Sequence, residues 1–139
     1  MIFGDELSLS ILREINKRIK ERNFHEQTHV LYDIANTMES DKLTYCEIGS
    51  YVGSSASLML ENKKINKVFC IDPLILSRTH FNGAKDQEQT LRDNLSEYEQ
   101  SRYSIFKNYS GDSTVLNFFK KNNIKIDILF IDGDHTTRS

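Results

Sequence analysis

LTYCEIGSYVGSS, residues 43–55, is where the chain changes from a helical to a strand-like pattern and back within one short turn. Leu43 to Ile48 reads as a buried strand, and Gly49 ends it. A helix begins at about Ser54 and carries Leu58, Met59 and Leu60. Gly49 and Gly53 let the strand turn sharply into that helix and let backbone approach a ligand. The helix then presents free N–H groups and the positive end of its dipole to the same point. The spacing is Gly-x-x-x-Gly, whereas the dinucleotide fingerprint that cradles a pyrophosphate is Gly-x-Gly-x-x-Gly. The wider spacing favours a nucleoside ligand without a pyrophosphate and counts against a nicotinamide-dependent dehydrogenase.

Working outward, the pattern repeats. Val68 to Ile71 is a second apolar run, closed by Asp72-Pro73, where proline cannot donate to a ladder. Leu91, Leu95 and Tyr98 recur at helical spacing over residues 87–98. Tyr103 to Phe106 is a third, weaker strand. Asp112 or Ser113 can cap a helix that carries Val115, Leu116 and Phe119. Ile126 to Ile131 is the fourth and most apolar strand. Strands alternating with helices imply right-handed crossovers and a parallel sheet covered on both faces. Upstream lie two helical patterns, one with Leu9, Leu12, Ile15 and Ile19 on a face, the other with Val30, Leu31, Ile34, Ala35 and Met38. The expected organisation is N-terminal helices over 1–40 and one α/β domain over 41–139.

Composition sets the outer limits. The 139 residues fit one domain, and 38% hydrophobic with 27% charged residues is an ordinary globular balance. A net charge of -2 gives no electrostatic footprint for nucleic acid. No apolar run approaches the length that spans a bilayer, and the first residues show no signal-peptide pattern. Cys46 and Cys70 sit in strand-like runs without a Cys-x-x-Cys, so they read as reduced core thiols and the expected location is cytoplasmic. His25, His29 and His80 form no ligand spacing, and Tyr103, Phe106, Phe118 and Phe119 read as core.

Ligands of an open parallel sheet bind beyond the carboxyl ends of its strands. Polar and glycine residues collect there four times: Glu47 to Ser55, then Asp72, then Ser110 to Ser113, then Asp132 to His135. An aspartate at the end of the second strand can accept both hydroxyls of a ribose, although a turn aspartate before proline is also common.

With these residues in place, the sequence resembles class I S-adenosylmethionine-dependent methyltransferases. The likeness is greatest to the bacterial small-molecule O-methyltransferase-like group with an Ile-Asp-Gly-Asp-His segment. YCEIGSYVGSS, VFCIDP, NYSGDS and LFIDGDH carry the resemblance, in the family's order from residue 45 to 135. It implies a Rossmann-like, three-layer αβα fold with strand order 3-2-1-4, in which the family's strands 5–7 are missing, so that the chain is expected to be a truncated form. It also implies transfer of a methyl group from S-adenosylmethionine to an oxygen of a small-molecule acceptor. Glu47, Gly49, Ser50, Tyr51, Gly53 and Ser54 would line the methionine and ribose side of that cofactor, and Asp72 would bind the ribose hydroxyls. Gly111, Asp112 and Ser113 would lie near the adenine, and Asp132 would face the cofactor's amino group or a metal.

The fourth segment leaves alternatives open. Asp132, Asp134 and His135 can join in holding a divalent cation such as magnesium, which would lower the pKa of an acceptor hydroxyl. His135 can instead act as the general base, with Asp132 as its catalytic neighbour, or the group can cap a turn and touch cofactor. A further alternative for the whole chain is a non-catalytic cofactor-binding or assembly module. A fourth strand that is apolar on both faces yet lies at the sheet edge invites pairing, so a homodimer through that edge is expected if the chain is complete.

Overall fold

Alternating apolar runs and turn residues translate into nine helices and strands in the computed structural model, which describes residues 6–19, 28–76 and 85–131. The helices are α1 (Glu6–Ile19), α2 (His29–Thr37), α3 (Ser54–Leu60), α4 (Gln87–Leu95) and α5 (Ser113–Lys121). The strands are β1 (Leu43–Ile48), β2 (Ile65–Ile71), β3 (Tyr103–Phe106) and β4 (Ile128–Ile131). A short 3-10 turn at Gln100–Arg102 leads into β3.

The sheet order is β3-β2-β1-β4, as the resemblance implied, and all three pairings are parallel, as expected from the alternation of strands and helices. Tyr45 of β1 stands between Val68 of β2 and Ile128 of β4, and Val68 in turn faces Tyr103 of β3. Strand alternation then sorts the core into two layers. Tyr45, Val68 and Cys70 pack with Leu31 and Ala35 of α2, Ala56 and Met59 of α3, and Leu91 and Leu95 of α4. Cys46, Phe69 and Ile71 point the other way, onto Val115 and Phe119 of α5. Phe69, Phe106, Phe118 and Phe119 form an aromatic cluster with ring centroids 4.9–6.3 Å apart; Phe106 and Phe119 pack against the core as expected, whereas Phe118 is exposed at the cluster's outer side, a correction to its expected core role. The two cysteines belong to opposite layers, so they cannot act as a pair. Burial pushes the Cys46 thiol up to about 12 and the Cys70 thiol well above its ordinary value, with the nearby Glu47 carboxylate adding to both shifts. These are inert core thiols.

Several boundaries differ from the sequence reading. β2 begins at Ile65 rather than Val68. Lys67 hides this start, because its Nζ lies over the Phe69 ring, 5.5 Å from the centroid, and donates to the Ser101 carbonyl at 3.1 Å. β4 begins at Ile128 rather than Ile126. Asp127 binds Thr44 instead, donating its N–H to the Thr44 carbonyl and accepting the Thr44 N–H on Oδ2. α4 ends at Leu95, three residues before Tyr98, whose hydroxyl donates to Glu61 at 2.7 Å. At α5 the cap is Asp112, which accepts the Thr114 N–H at 2.8 Å. That bond holds the Asp112 carboxyl below the usual carboxylate range.

α1 lies on α3 through Leu12, Ile15 and Leu58. Its buried face also carries Ser8 and Asn16, each one turn from Leu12. The Ser8 hydroxyl donates to Asp33 of α2 at 3.1 Å. At the far edge of the sheet, β4 exposes Leu129 (51%) and Ile131 (62%) and buries Ile128.

Candidate functional site

The turn after β1 is built from a hydrogen-bond pattern that joins two strand ends. Gly49 N–H donates to the Ile71 carbonyl at 2.8 Å, and Gly53 N–H donates to Ser50 O at 2.9 Å. Gly49 and Gly53 have φ of 90° and 96°, a region that glycine enters without a Cβ clash. Tyr51 lies in the same left-handed region at φ 52°, as does Leu74 at φ 53°. Asp72 holds both of these strained residues. Its Oδ2 accepts the Tyr51 N–H at 3.0 Å and its Oδ1 accepts the Leu74 N–H at 2.8 Å. The turn role of this aspartate is therefore present in the structure, and it couples the glycine turn to the end of β2.

Glu47 sits at the last buried position of β1 and is 1% exposed. Its Oε1 accepts from the Tyr45 hydroxyl and from the Ser55 hydroxyl, each at 2.7 Å. Ser54, next to Ser55, donates its hydroxyl to Asn16 Oδ1 of α1. The first residues of α3 are thus pinned to β1 on one side and to α1 on the other. The Ser50 hydroxyl is buried in the turn near the Cys70 thiol and has no oxygen or nitrogen hydrogen-bond partner among the described residues.

Glu47, Gly49, Ser50, Tyr51, Gly53, Ser54 and Asp72 all gather at the carboxyl edge of β1 and β2. Gly111, Asp112 and Ser113 follow β3 at the same edge of the sheet, which Asp72 N–H joins through the Phe106 carbonyl at 3.1 Å. A Cβ added at Gly111 would meet open space, so this glycine is not required by packing. Asp132, Asp134 and His135, the expected metal ligands and base, lie outside the described residues, as do His25 and His80. Among the described residues, no group of three or more His, Cys, Asp or Glu is placed to hold a metal ion. Nor is any helix among them long and apolar enough to cross a membrane.

Three residues that hold the site escape a reading of the sequence. Gln87, 2% exposed at the start of α4, donates to the Tyr51 carbonyl at 3.1 Å and exchanges hydrogen bonds with Leu76. Asn94 donates to the Val52 carbonyl at 2.8 Å. Asn16 receives Ser54 from a helix distant in sequence. All three contacts are long-range, and a polar residue in a helix gives no local sign of a carbonyl it will meet after folding.

The methyltransferase-domain family matches residues 46–139. An uncharacterised protein of Acanthamoeba polyphaga mimivirus is 39% identical over 137 residues, covering 94% of this chain and 58% of that protein. The chain thus spans little more than half the length of this relative. Among solved structures, an O-methyltransferase of Streptomyces achromogenes involved in tomaymycin synthesis, in complex with SAM, matches with a TM-score of 0.55 at 13% identity, over 96% of this chain and 56% of that one. A Staphylococcus aureus protein described as a candidate caffeoyl-CoA O-methyltransferase matches with a TM-score of 0.56 at 20% identity, over 93% of this chain and 55% of that one. At these identities the likeness is one of fold.

Proposed function

We propose that this chain, which belongs to the methyltransferase-domain family, binds S-adenosylmethionine at the carboxyl edge of β1 and β2 and serves methyl transfer to an oxygen of a small molecule. The observation that carries the reading is the union of the glycine turn with Asp72, beside the point where the strand order reverses between β1 and β4. Open parallel sheets bind their ligands at that point.

The residues fit a nucleoside that carries an amino acid. Ser50 offers a buried hydroxyl with no oxygen or nitrogen partner among the described residues, and Glu47 offers a carboxylate that accepts from two hydroxyls. Asp72 spends one lone pair of each oxygen on the turn, which leaves acceptor capacity for ribose hydroxyls. Gly111, Asp112 and Ser113 would border the adenine. When bound, S-adenosylmethionine supplies an electrophilic sulfonium methyl. The chain's own part is to fix the donor's direction toward an acceptor oxygen, which is the main contribution a protein makes to an in-line displacement. Within this proposal His135 and Asp132 are the catalytic residues, His135 as the base that takes the acceptor proton.

Calorimetry with S-adenosylhomocysteine and with NAD tests the ligand class. We expect saturable binding of S-adenosylhomocysteine and none of NAD. Absence of the first, or preference for the second, removes the proposal.

A further inference from the structure

One side chain joins the first helix to the far end of the fourth. Arg18 stands in the last turn of α1 and is half-buried there. Each nitrogen of its guanidinium has its own acceptor at or just past the end of α4. Nη1 donates to the Asn94 carbonyl at 2.9 Å, Nη2 to the Tyr98 hydroxyl at 3.3 Å, and Nε pairs with the Glu97 carboxylate at 3.1 Å. The guanidinium carbon also lies 5.8 Å from the centroid of the Tyr98 ring. Because α4 ends at Leu95, the Asn94 carbonyl has no intrahelical donor, and a cation suits that end of a helix.

Asn94 also faces the other way. Its side-chain amide donates to the Val52 carbonyl at 2.8 Å, so one residue ties α1 to the turn just before Gly53. Asn16, two residues before Arg18, accepts the Ser54 hydroxyl just after Gly53. The last turn of α1 therefore reaches both flanks of that glycine.

The rest of the α1 contact is weak. Its buried apolar part is Leu12 and Ile15 against Leu58 of α3. Asn16 Nδ2 and the hydroxyl of Ser57, one turn on from Ser54, are buried without a hydrogen-bond partner among the described residues. Polar atoms left in this way work against docking. A short apolar contact with unmet polar groups places a helix at the low end of local stability, where segments open without global unfolding. A guanidinium with three acceptors is then the strongest tie.

We infer that α1 is a strap latched by Arg18, and that its docking is coupled through Asn94 to ligand binding at the carboxyl edge of the sheet. The coupling rests on the S-adenosylmethionine reading given above, whereas the latch does not. Such coupling is reciprocal: a ligand that steadies the turn at Val52 holds α1 down, and release of α1 weakens the ligand.

The test measures hydrogen exchange of α1 amides and calorimetry with S-adenosylhomocysteine. Both are run on the full chain, Arg18→Met, Arg18→Lys, Asn94→Ala and the double variant of Arg18→Met with Asn94→Ala. In Arg18→Met, α1 is expected to exchange about tenfold faster while β1 and β2 stay within about twofold of the parent. S-adenosylhomocysteine should bind about fivefold more weakly, the low end of common coupling strengths. Arg18→Lys, which keeps the charge and loses the fork, should fall between, and it carries the test if Arg18→Met does not fold. Asn94→Ala keeps the carbonyl that Arg18 holds and loses the amide on Val52. Its α1 should exchange within about twofold of the parent, yet S-adenosylhomocysteine should no longer slow that exchange. In the double variant, Arg18→Met should add less than about twofold to the affinity loss of Asn94→Ala. Unchanged α1 exchange in Arg18→Met overturns the latch. So does equal acceleration in α1, β1 and β2, which would mark global destabilisation. Affinity losses that multiply in the double variant overturn the coupling. If the parent chain does not bind S-adenosylhomocysteine, the proposed function fails and the coupling falls with it, whereas parent binding with full affinity in Arg18→Met removes the coupling alone.

Discussion

Asp72→Ala is expected to destabilise the chain by about 2–4 kcal/mol, because it strips the acceptor from two backbone N–H groups at once. These donors belong to Tyr51 and Leu74, both at positive φ and neither a glycine. Each left-handed residue carries strain of roughly 1–2 kcal/mol that its surroundings must over-determine. Removal of the carboxylate releases that strain by opening the turn after β1 and the turn after β2 together. Urea unfolding measures the loss directly, as a lower midpoint at an unchanged slope. Asp72→Asn should lie between parent and alanine variant, since an amide oxygen can keep one bond while its NH2 group repels the other donor. Stability within about 0.5 kcal/mol of the parent in the alanine variant would mean that Asp72 does not brace the turns. S-adenosylhomocysteine binding gives a separate readout. If Asp72 also takes ribose hydroxyls, the alanine variant loses affinity by well over the about tenfold expected of a single hydrogen bond to a charged group.

Gly53→Ala should be of similar size, about 2–4 kcal/mol, for an unrelated reason. Gly53 caps α3 at φ 96°, where an L side chain is strained by roughly 1–2 kcal/mol. Its added Cβ would also lie 2.9 Å from Leu91 Cδ1 and 3.4 Å from Leu95 Cδ2. Both leucines are fully buried in the core under α4, so they cannot swing into solvent, and overpacking adds about 1–3 kcal/mol. The control is Gly111→Ala, where the new methyl meets open space and stability should change by less than about 0.5 kcal/mol. Equal and small effects at both glycines, read from thermal or urea midpoints, would show that the contact of Gly53 with α4 is not limiting.

The two substitutions separate the two meanings of a glycine turn. Gly49 and Gly53 read in the sequence as room for a ligand. In the structure Gly53 is also room for a helix, because its missing side chain admits Leu91 and Leu95. Asp72 reads as either a ribose ligand or a turn aspartate, and its hydrogen bonds show the second role in place with acceptor capacity left for the first. Likewise Ser54 belongs to the cofactor-lining group by resemblance, while its hydroxyl is given to Asn16.

What the sequence determined by itself is the alternation. Strand period in 43–48, helix period after Ser54, and the same change repeated downstream admit few folds other than a parallel αβα sheet, because each parallel strand needs a crossover and two covered faces. The polar strand ends followed from that order, since chain direction places all of them on one edge. The resemblance then supplied the strand order and the ligand class. Only the tertiary structure decided which polar groups meet. Tyr45 and Ser55 stand at the two ends of the YCEIGSYVGSS segment, but that their hydroxyls meet on Glu47 is decided only when β1 and α3 pack together. Gln87, Asn94 and Asn16 are chosen by carbonyls and hydroxyls far away along the chain. The physical reason is a difference in range. Apolar periodicity is written in neighbouring residues, whereas hydrogen-bond partners in a buried turn are selected by packing between elements, which no local pattern encodes.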